Sequence, residues 1–273
     1  MQITDTLVVT ATLGNRVSLS RTIETVKDIG GKRVKHIIVA PISMCNFIKS
    51  THPYVEILPE PQNTKGIYSA LNFALLTFAK DYKYMTYIND DDYWNSDFSK
   101  LFAELDDNPN ADVVYGRVNY VDESGKIIGE QTSSPRFKAF KALLSENIVL
   151  FTQQATLFRT QLFLKLNGFN ENYMLVADTD FWLRAIEANT NFKYINQICA
   201  SYTIQAGQLS SNEILQNEEH RRLMSNVKTN TAIAFIEKIL FRITNMRIYF
   251  KRFIKFKGLR RMNSFFNPKK NNK

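Results

Sequence analysis

The chain has 273 residues, 44% of them hydrophobic, and two cysteines, Cys45 and Cys199. That is enough for one large core or a core with an appendage, and with no CxxC pair a disulfide framework or structural zinc is not expected. The formal charge of +9 is unevenly placed: residues 1–237 hold 23 Lys+Arg against 26 Asp+Glu, whereas residues 238–273 hold 12 Lys+Arg and no acid.

Thr6 to Thr12 is a short apolar, β-branched run that predicts a buried first strand. Asn15 to Asp28 has helical spacing and stops at Gly30 and Gly31. Val34 to Ala40, ended by Pro41, reads as a second strand and Tyr54 to Leu58 as a third. Ile67 to Phe78 reads as a helix and Tyr84 to Asn89 as a fourth strand, with Asp90, Asp91 and Asp92 directly after it. The later half continues with strand-like Asp112 to Val121, a hairpin around Ser124 and Gly125, and strand-like Gln154 to Phe158. A helix over Thr160 to Leu166 ends at Gly168, another begins near Asp178, and Phe192 to Ile204 is strand-like. The β-α-β order predicts an α/β, Rossmann-like, mostly parallel sheet flanked by helices. Ligands bind such sheets beyond the carboxyl ends of the strands, where the acidic triplet is expected.

Three adjacent carboxylates repel one another, and a divalent cation is one compensation. Hard cations such as Mg²⁺ or Mn²⁺ select oxygen ligands, and a diphosphate would complete the shell. A solvated acidic turn capping the next helix is the plainer alternative. In the segment from Ala177 to Arg184, helical spacing sets Asp180 and Arg184 up as an i,i+4 ion pair. Asp178 then falls near the helix start, where the helix dipole favours an ionised carboxylate that can act as a general base. Spacing alone favours a helix cap and a surface ion pair there. No histidine has a partner at metal or triad spacing. Trp94 and Trp182 are aromatic faces that could flank a sugar, with core packing the stronger expectation for Trp182.

Taken in order, these segments resemble family 2 glycosyltransferases of the GT-A fold, of the bacterial surface-polysaccharide kind. Leu7 to Asn15 resembles the first-strand segment whose loop meets the nucleotide. Glu60 to Ala70 resembles the lysine-glycine-isoleucine-tyrosine segment, and Ile88 to Trp94 the metal motif. Tyr115 and Gly116, Gln153 to Phe158, Gly168 and Phe169, and Asp178 to Arg184 follow in the usual sequence, with Gly207 to Ser211 resembling the flexible segment before the C-terminal helices. The match runs from about residue 6 to residue 215. It implies that Asp91 ligates the metal, that Asp90 contacts the ribose or the metal site, and that Asp92 supports it. It makes Asp178 the general base, with Asp180 and Arg184 as structural partners. Thr10, Thr12 and Asn15 would belong to the nucleotide loop, and Lys65 and Gly66 would line the donor. Tyr68 and Gln154 are further substrate-site candidates.

The resemblance implies transfer of a sugar, with inversion, from a nucleotide-diphosphate donor to a saccharide hydroxyl. The donor is expected to be a UDP-sugar, the cofactor Mn²⁺ or Mg²⁺, and the acceptor lipid-linked. The chain departs from the pattern at Ala40 to Met44, which carries no carboxylate where the second strand usually ends in an acidic turn. It also has Ala177 before the base and Asn89 at the start of the metal motif. A non-catalytic metal- and membrane-binding protein is the alternative, and a nucleotidyltransferase a third reading.

A catalytic unit is expected over residues 1–215 and a basic helical extension over 216–273. In the extension Ile236, Ile239, Leu240, Ile243, Met246, Phe250 and Phe253 recur at helical spacing, with Lys238, Arg242, Arg252 and Lys255 mostly outside the stripe. That pattern predicts an interfacial helix on an anionic membrane. A helix packed on the catalytic unit is the alternative. No nucleic-acid-binding module is present in the sequence. No run reaches the roughly 18 apolar residues of a spanning helix, and residues 1–5 show no leader pattern. The expected location is therefore the cytoplasm, peripheral on the membrane face.

Overall fold

The structure is a computed structural model that describes residues 4–205, 207, 208, 212–225 and 227–255. The first half runs β1 (Thr6–Ala11), α1 (Leu19–Gly30), β2 (Val34–Ala40), α2 (Ile42–Thr51), β3 (Glu56–Pro59), α3 (Gly66–Phe78) and β4 (Tyr84–Tyr87). The second runs β5 (Tyr93–Trp94), α4 (Ser99–Asp107), β6 (Val113–Val121), β7 (Ile127–Glu130), α5 (Phe140–Ser145), β8 (Thr156–Arg159), α6 (Thr160–Lys165), α7 (Ala177–Glu187) and β9 (Phe192–Thr203). Helices α8 (Glu213–Ser225), α9 (Thr231–Thr244) and α10 (Met246–Lys255) follow.

The nine strands among the described residues join one sheet in the order β3-β2-β1-β4-β8-β6-β9-β5, with β7 beside β6. The β3-β2-β1-β4 half is parallel throughout. Strand β8 then runs antiparallel to both β4 and β6, while β6 and β9 pair in parallel. The sheet is covered on both faces, and the alternation along each strand sorts its residues between them. Leu7, Val9, Met85, Val113 and Phe158 pack with Leu71 and Leu75 of α3 and with Phe181 and Trp182 of α7. Val8, Tyr84, Val114 and Leu157 pack with Val26 of α1 and with Leu101 and Phe102 of α4.

Strand β1 emerges into a loop whose turn needs a glycine. Gly14 has φ +78, and a Cβ there would lie 2.9 Å from Met44 Cβ. The same holds at the turn after α6, where Gly168 has φ +70 and an added Cβ would meet Asn72 Oδ1 at 2.6 Å. Asn72 Nδ2 donates to Phe169 O at 2.9 Å, and Phe169 N donates to Asn72 Oδ1 at 2.8 Å, so α3 fixes the path of the chain into α7.

The expected boundary at residue 215 falls inside α8. Leu223 of α8 and Phe241 of α9 join the same buried cluster as α3 and α7, so these helices extend that core. Asn245 donates from Nδ2 to Ser133 O at 2.9 Å and accepts from Ser133 N at 3.1 Å. The inward residues of α9 are Ala234 and Phe241. The apolar stripe faces outward: Ile236 is 55% exposed, Ile243 61%, Phe250 62% and Phe253 65%. Cations of these helices are turned to the body instead: Lys238 onto Glu146, Arg252 onto Glu130 O at 2.6 Å and Lys251 toward Glu130 Oε2 at 3.6 Å. Residues 256–273 of the basic tail lie outside the described residues. No helix among the described residues is long and apolar enough to cross a membrane.

Candidate active site

The acidic triplet sits where β4 ends, at the carboxyl edge of the parallel half. Its three members are buried, and each carboxylate has its own partners. Asp92 is turned inward: Oδ2 accepts from Gln154 Nε2 at 2.8 Å and Asn89 Nδ2 at 3.2 Å, and Oδ1 accepts from Thr203 N at 2.8 Å. Burial and the neighbouring Asp91 push its carboxyl well above the usual range, against the pull of those three donors. Its carbonyl accepts from Thr22 Oγ1 at 2.6 Å, and Thr203 Oγ1 donates to the carbonyl of Asp91. The turn is therefore stitched to α1, to β9 and to the segment before β8.

Asp90 and Asp91 share one cationic partner, Arg16. Asp90 Oδ2 accepts from Thr12 Oγ1 at 2.6 Å, and Thr12 Oγ1 accepts from Gly14 N at 2.9 Å, so one hydroxyl shapes both the β1 loop and the triplet. Arg16 spans the pair, with Nε 3.3 Å from Asp90 Oδ1 and Nη1 3.0 Å from Asp91 Oδ2. Gln205 Nε2 and Gln208 Nε2 each donate to Asp91 Oδ2, both at 3.0 Å. Burial raises the Asp90 carboxyl, and Thr12 and Arg16 partly offset it. Among the described residues no group of three His, Cys, Asp or Glu is arranged to hold a metal by itself. Asp90 Oδ1 and Asp91 Oδ2, both within reach of one guanidinium, do suit a hard cation whose other ligands come from phosphate and water. Asp92, with both oxygens engaged inside the fold, supports that pair from behind.

The second carboxylate comes from α7. Asp178 is half-buried in the first turn, where its Oδ1 accepts from Thr179 N at 2.7 Å and Thr179 Oγ1 at 3.3 Å. Tyr68 of α3 is a neighbour of the same side chain and donates its hydroxyl to Leu175 O at 3.5 Å. Burial raises the Asp178 carboxyl above its ordinary value, and the Thr179 hydrogen bonds and the nearby Tyr68 hydroxyl draw it part of the way back. The expected ion pair is present: Arg184 Nε donates to Asp180 Oδ2 at 2.7 Å, and Arg184 also donates to Leu166 O and Gly168 O at 2.5 and 2.8 Å. Asp180 and Arg184 thus hold α7 against the turn at Gly168.

Leu175 O, three residues before Asp178, accepts from Tyr68 at 3.5 Å, and Tyr68 packs its ring against that of Tyr87, the last residue of β4, with centroids 6.5 Å apart. The Tyr87 phenol is held well above the ordinary range, first by burial. The end of β4 and the loop before Asp178 are thus joined through Tyr68, although Asp92 and Asp178 lie 86 residues apart in sequence.

Other sequence-derived candidates divide. Thr10 is buried, with Oγ1 3.0 Å from His36 Nε2, so its hydroxyl is engaged within the sheet. Asn15 and Lys65 are exposed. Lys65 is the residue before α3, and Gly66 takes a left-handed φ of +77 with no atom within 4 Å of an added Cβ. Trp94 is no wall of the cleft: it is 1% exposed and stacked on Phe98 with centroids 3.6 Å apart. Trp182 is core, against Phe151 and Phe158. Sequence reasoning passed over Arg16, Gln205, Gln208 and Tyr87 as site residues. Gln205 and Gln208 flank the start of the segment Gly207 to Ser211, whose residues 209–211 lie outside the described ones.

An open α/β sheet with paired carboxylates at the carboxyl edge of β4 and a further acid on a facing helix defines a GT-A glycosyltransferase. The chain superposes on residues 1–349 of TarS from S. aureus, solved in complex with UDP-GlcNAc, with a TM-score of 0.61 at 15% identity, covering 95% of this chain and 77% of that one. It covers 45% of the longer TarS structure. Similarity extends to the mannosyltransferase PcManGT from Pyrobaculum calidifontis, solved with GDP-Man and Mn²⁺, with a TM-score of 0.58 at 14% identity, covering 85% of this chain and 68% of that one. The sequence profile of glycosyl transferase family 2 matches residues 8–166, and the chain belongs to that family. No curated protein matches it in sequence. It is a glycosyltransferase.

Proposed function

We propose that the enzyme transfers a sugar, with inversion, from a nucleotide-diphosphate sugar to a hydroxyl of a saccharide acceptor, with Asp178 as general base. The observation that supports this reading is the path from the end of β4, where the triplet stands, through the Tyr87–Tyr68 ring contact to Leu175 O, three residues before Asp178. A single displacement needs one base, and of the two acids in the first turn of α7 Asp180 is paired with Arg184, which leaves Asp178 for that role. Asp178 would take the acceptor proton as the new glycosidic bond forms, a contribution of roughly 10²–10⁴-fold.

Asp90 and Asp91 are the residues that would hold Mn²⁺ or Mg²⁺. Such a cation, when bound, neutralises charge that builds on the departing diphosphate. Thr12 fixes the Asp90 carboxylate, and Arg16 supplies a second positive group beside the same oxygens. Lys65 and Gly66, at the start of α3, and Asn15, in the β1 loop, are assigned to the donor side. A UDP-sugar is the donor we favour. The Ala40 to Met44 turn offers no carboxylate to a base or ribose, so base selection would fall to other contacts.

We place the enzyme in surface polysaccharide synthesis, on the cytoplasmic membrane face, acting on a lipid-linked acceptor. The outward apolar stripe of α9 and α10, joined to a segment with 12 basic residues and no acid, supports that reading. Nucleic acid is not a proposed partner. Thermal-shift measurements with UDP-, GDP- and dTDP-sugars in Mn²⁺, followed by donor turnover, test the assignment. Stabilisation by one nucleotide class and metal-dependent release of its diphosphate is expected, and no response to any of them would reject it.

A further inference from the structure

A buried glutamate outside the family-matched segment grips the loop that presents Asp178. Glu219 lies in α8 and is 5% exposed. Its Oε1 accepts from Met174 N at 2.7 Å, and its Oε2 accepts from Leu175 N at 2.8 Å and Val176 N at 3.3 Å. Those residues lead straight into α7. Val176 is the residue before the helix, its side chain makes no cap, and Asp178 stands two positions on. One turn along α8, Arg222 Nη2 donates to Asn172 O at 2.6 Å, so the same helix holds the loop at a second point. On the other side Tyr68 donates its hydroxyl to Leu175 O at 3.5 Å.

A buried carboxylate is expensive unless its oxygens are bonded. Glu219 is bonded to backbone alone, and the bonded backbone is the stretch that sets where α7 starts. A small change in the direction of this loop would swing the Asp178 side chain relative to Tyr68 and the cleft. Misplacement of a reacting group by about 1 Å can cost around 10²-fold in rate.

We propose that Glu219 is a positioning residue for Asp178, acting through the loop 174–176, and that α8 is thereby part of the catalytic apparatus. The inference rests on the reading of Asp178 as general base. In the full-length protein, Glu219→Ala is expected to lower kcat by about 10²-fold, while the affinity for UDP with Mn²⁺ stays within about twofold of wild type, because the donor side is held by β1 and β4. Glu219→Gln, whose amide oxygen can still accept from Leu175 and Val176, should fall between the two.

A double-mutant cycle separates positioning from plain stabilisation, since coupled residues are non-additive. Residual turnover of Asp178→Asn should drop little further when Glu219→Ala is added. The same proportional loss in both backgrounds, or a parallel loss of UDP affinity, would overturn the proposal. Wild-type kcat in Glu219→Ala, beside an inactive Asp178→Asn, would overturn it and leave the base assignment standing. Full activity in Asp178→Asn would remove the base reading and this inference with it. Should Glu219→Ala fail to fold, Glu219→Gln is judged by the same criteria.

Discussion

The guanidinium of Arg16 bridges Asp90 and Asp91, 3.3 Å from one carboxylate and 3.0 Å from the other. A divalent cation assigned to those oxygens would compete with it. Arg16→Ala should therefore bind Mn²⁺ more tightly in the absence of nucleotide, by up to about fivefold, as suits a partly exposed ion pair worth ~1 kcal/mol. Asp91→Ala should abolish the metal dependence of UDP binding. Calorimetry on both variants checks this, and Mn²⁺ affinity unchanged by either would move the cation elsewhere.

Asp92 differs from its neighbours in being engaged wholly within the fold. Asp92→Ala would strand Asn89 Nδ2, Gln154 Nε2 and Thr203 N. It should destabilise the protein by about 2 kcal/mol or more, whereas Asp91→Ala, whose donors can turn toward water, should change stability by less. Denaturant midpoints of the two variants give the comparison. Equal midpoints would mean that Asp92 does not support the turn.

A general base works only when ionised, and burial raises the Asp178 carboxyl. The acid limb of kcat should therefore lie above the ordinary aspartate value of about 3.9, with activity lost as pH falls through it. Tyr68→Phe removes a nearby hydroxyl that favours the ionised form and should shift the limb to higher pH. A pH–rate profile of the two proteins decides it; a shift in the opposite direction would contradict the assigned contact.

The outward stripe makes the membrane proposal testable without cutting the chain. Ile239→Ser, Ile243→Ser and Phe250→Ser combined should lower binding to anionic vesicles by about tenfold or more and leave the unfolding midpoint unchanged. Binding of the wild type should weaken with salt, because the basic contribution is screened. Removing residues 238–273 is a harsher change, since it takes away buried Phe241 and the Asn245 bonds to Ser133. Unchanged co-sedimentation of the triple variant would remove the stripe from the membrane account.

Much of the frame was legible because apolar runs and their alternation report burial directly. β2 has the predicted bounds, Val34 to Ala40, and α3 and β6 differ from expectation by one residue at a single end. The helix Ile42–Thr51 escaped because Ile42 and Phe47 are exposed and only Ile48 is buried, so no stripe marks it. β5 has two residues and exists through its pairing with β9. The pair Asp180 and Arg184 could be read from helical spacing, since both partners are local. Gln205 to Asp91 and Glu219 to the loop before Asp178 span 114 and 43–45 residues, and such contacts are set by how strands and helices pack, which spacing along the chain does not encode.

The most direct test of the account is turnover of the nucleotide sugar by Asp178→Asn beside the wild type. The account predicts that the variant binds UDP with Mn²⁺ as the wild type does, and that its kcat falls by roughly 10²–10⁴-fold. Turnover near the wild-type rate, with UDP binding intact, would contradict it and place the base on another residue.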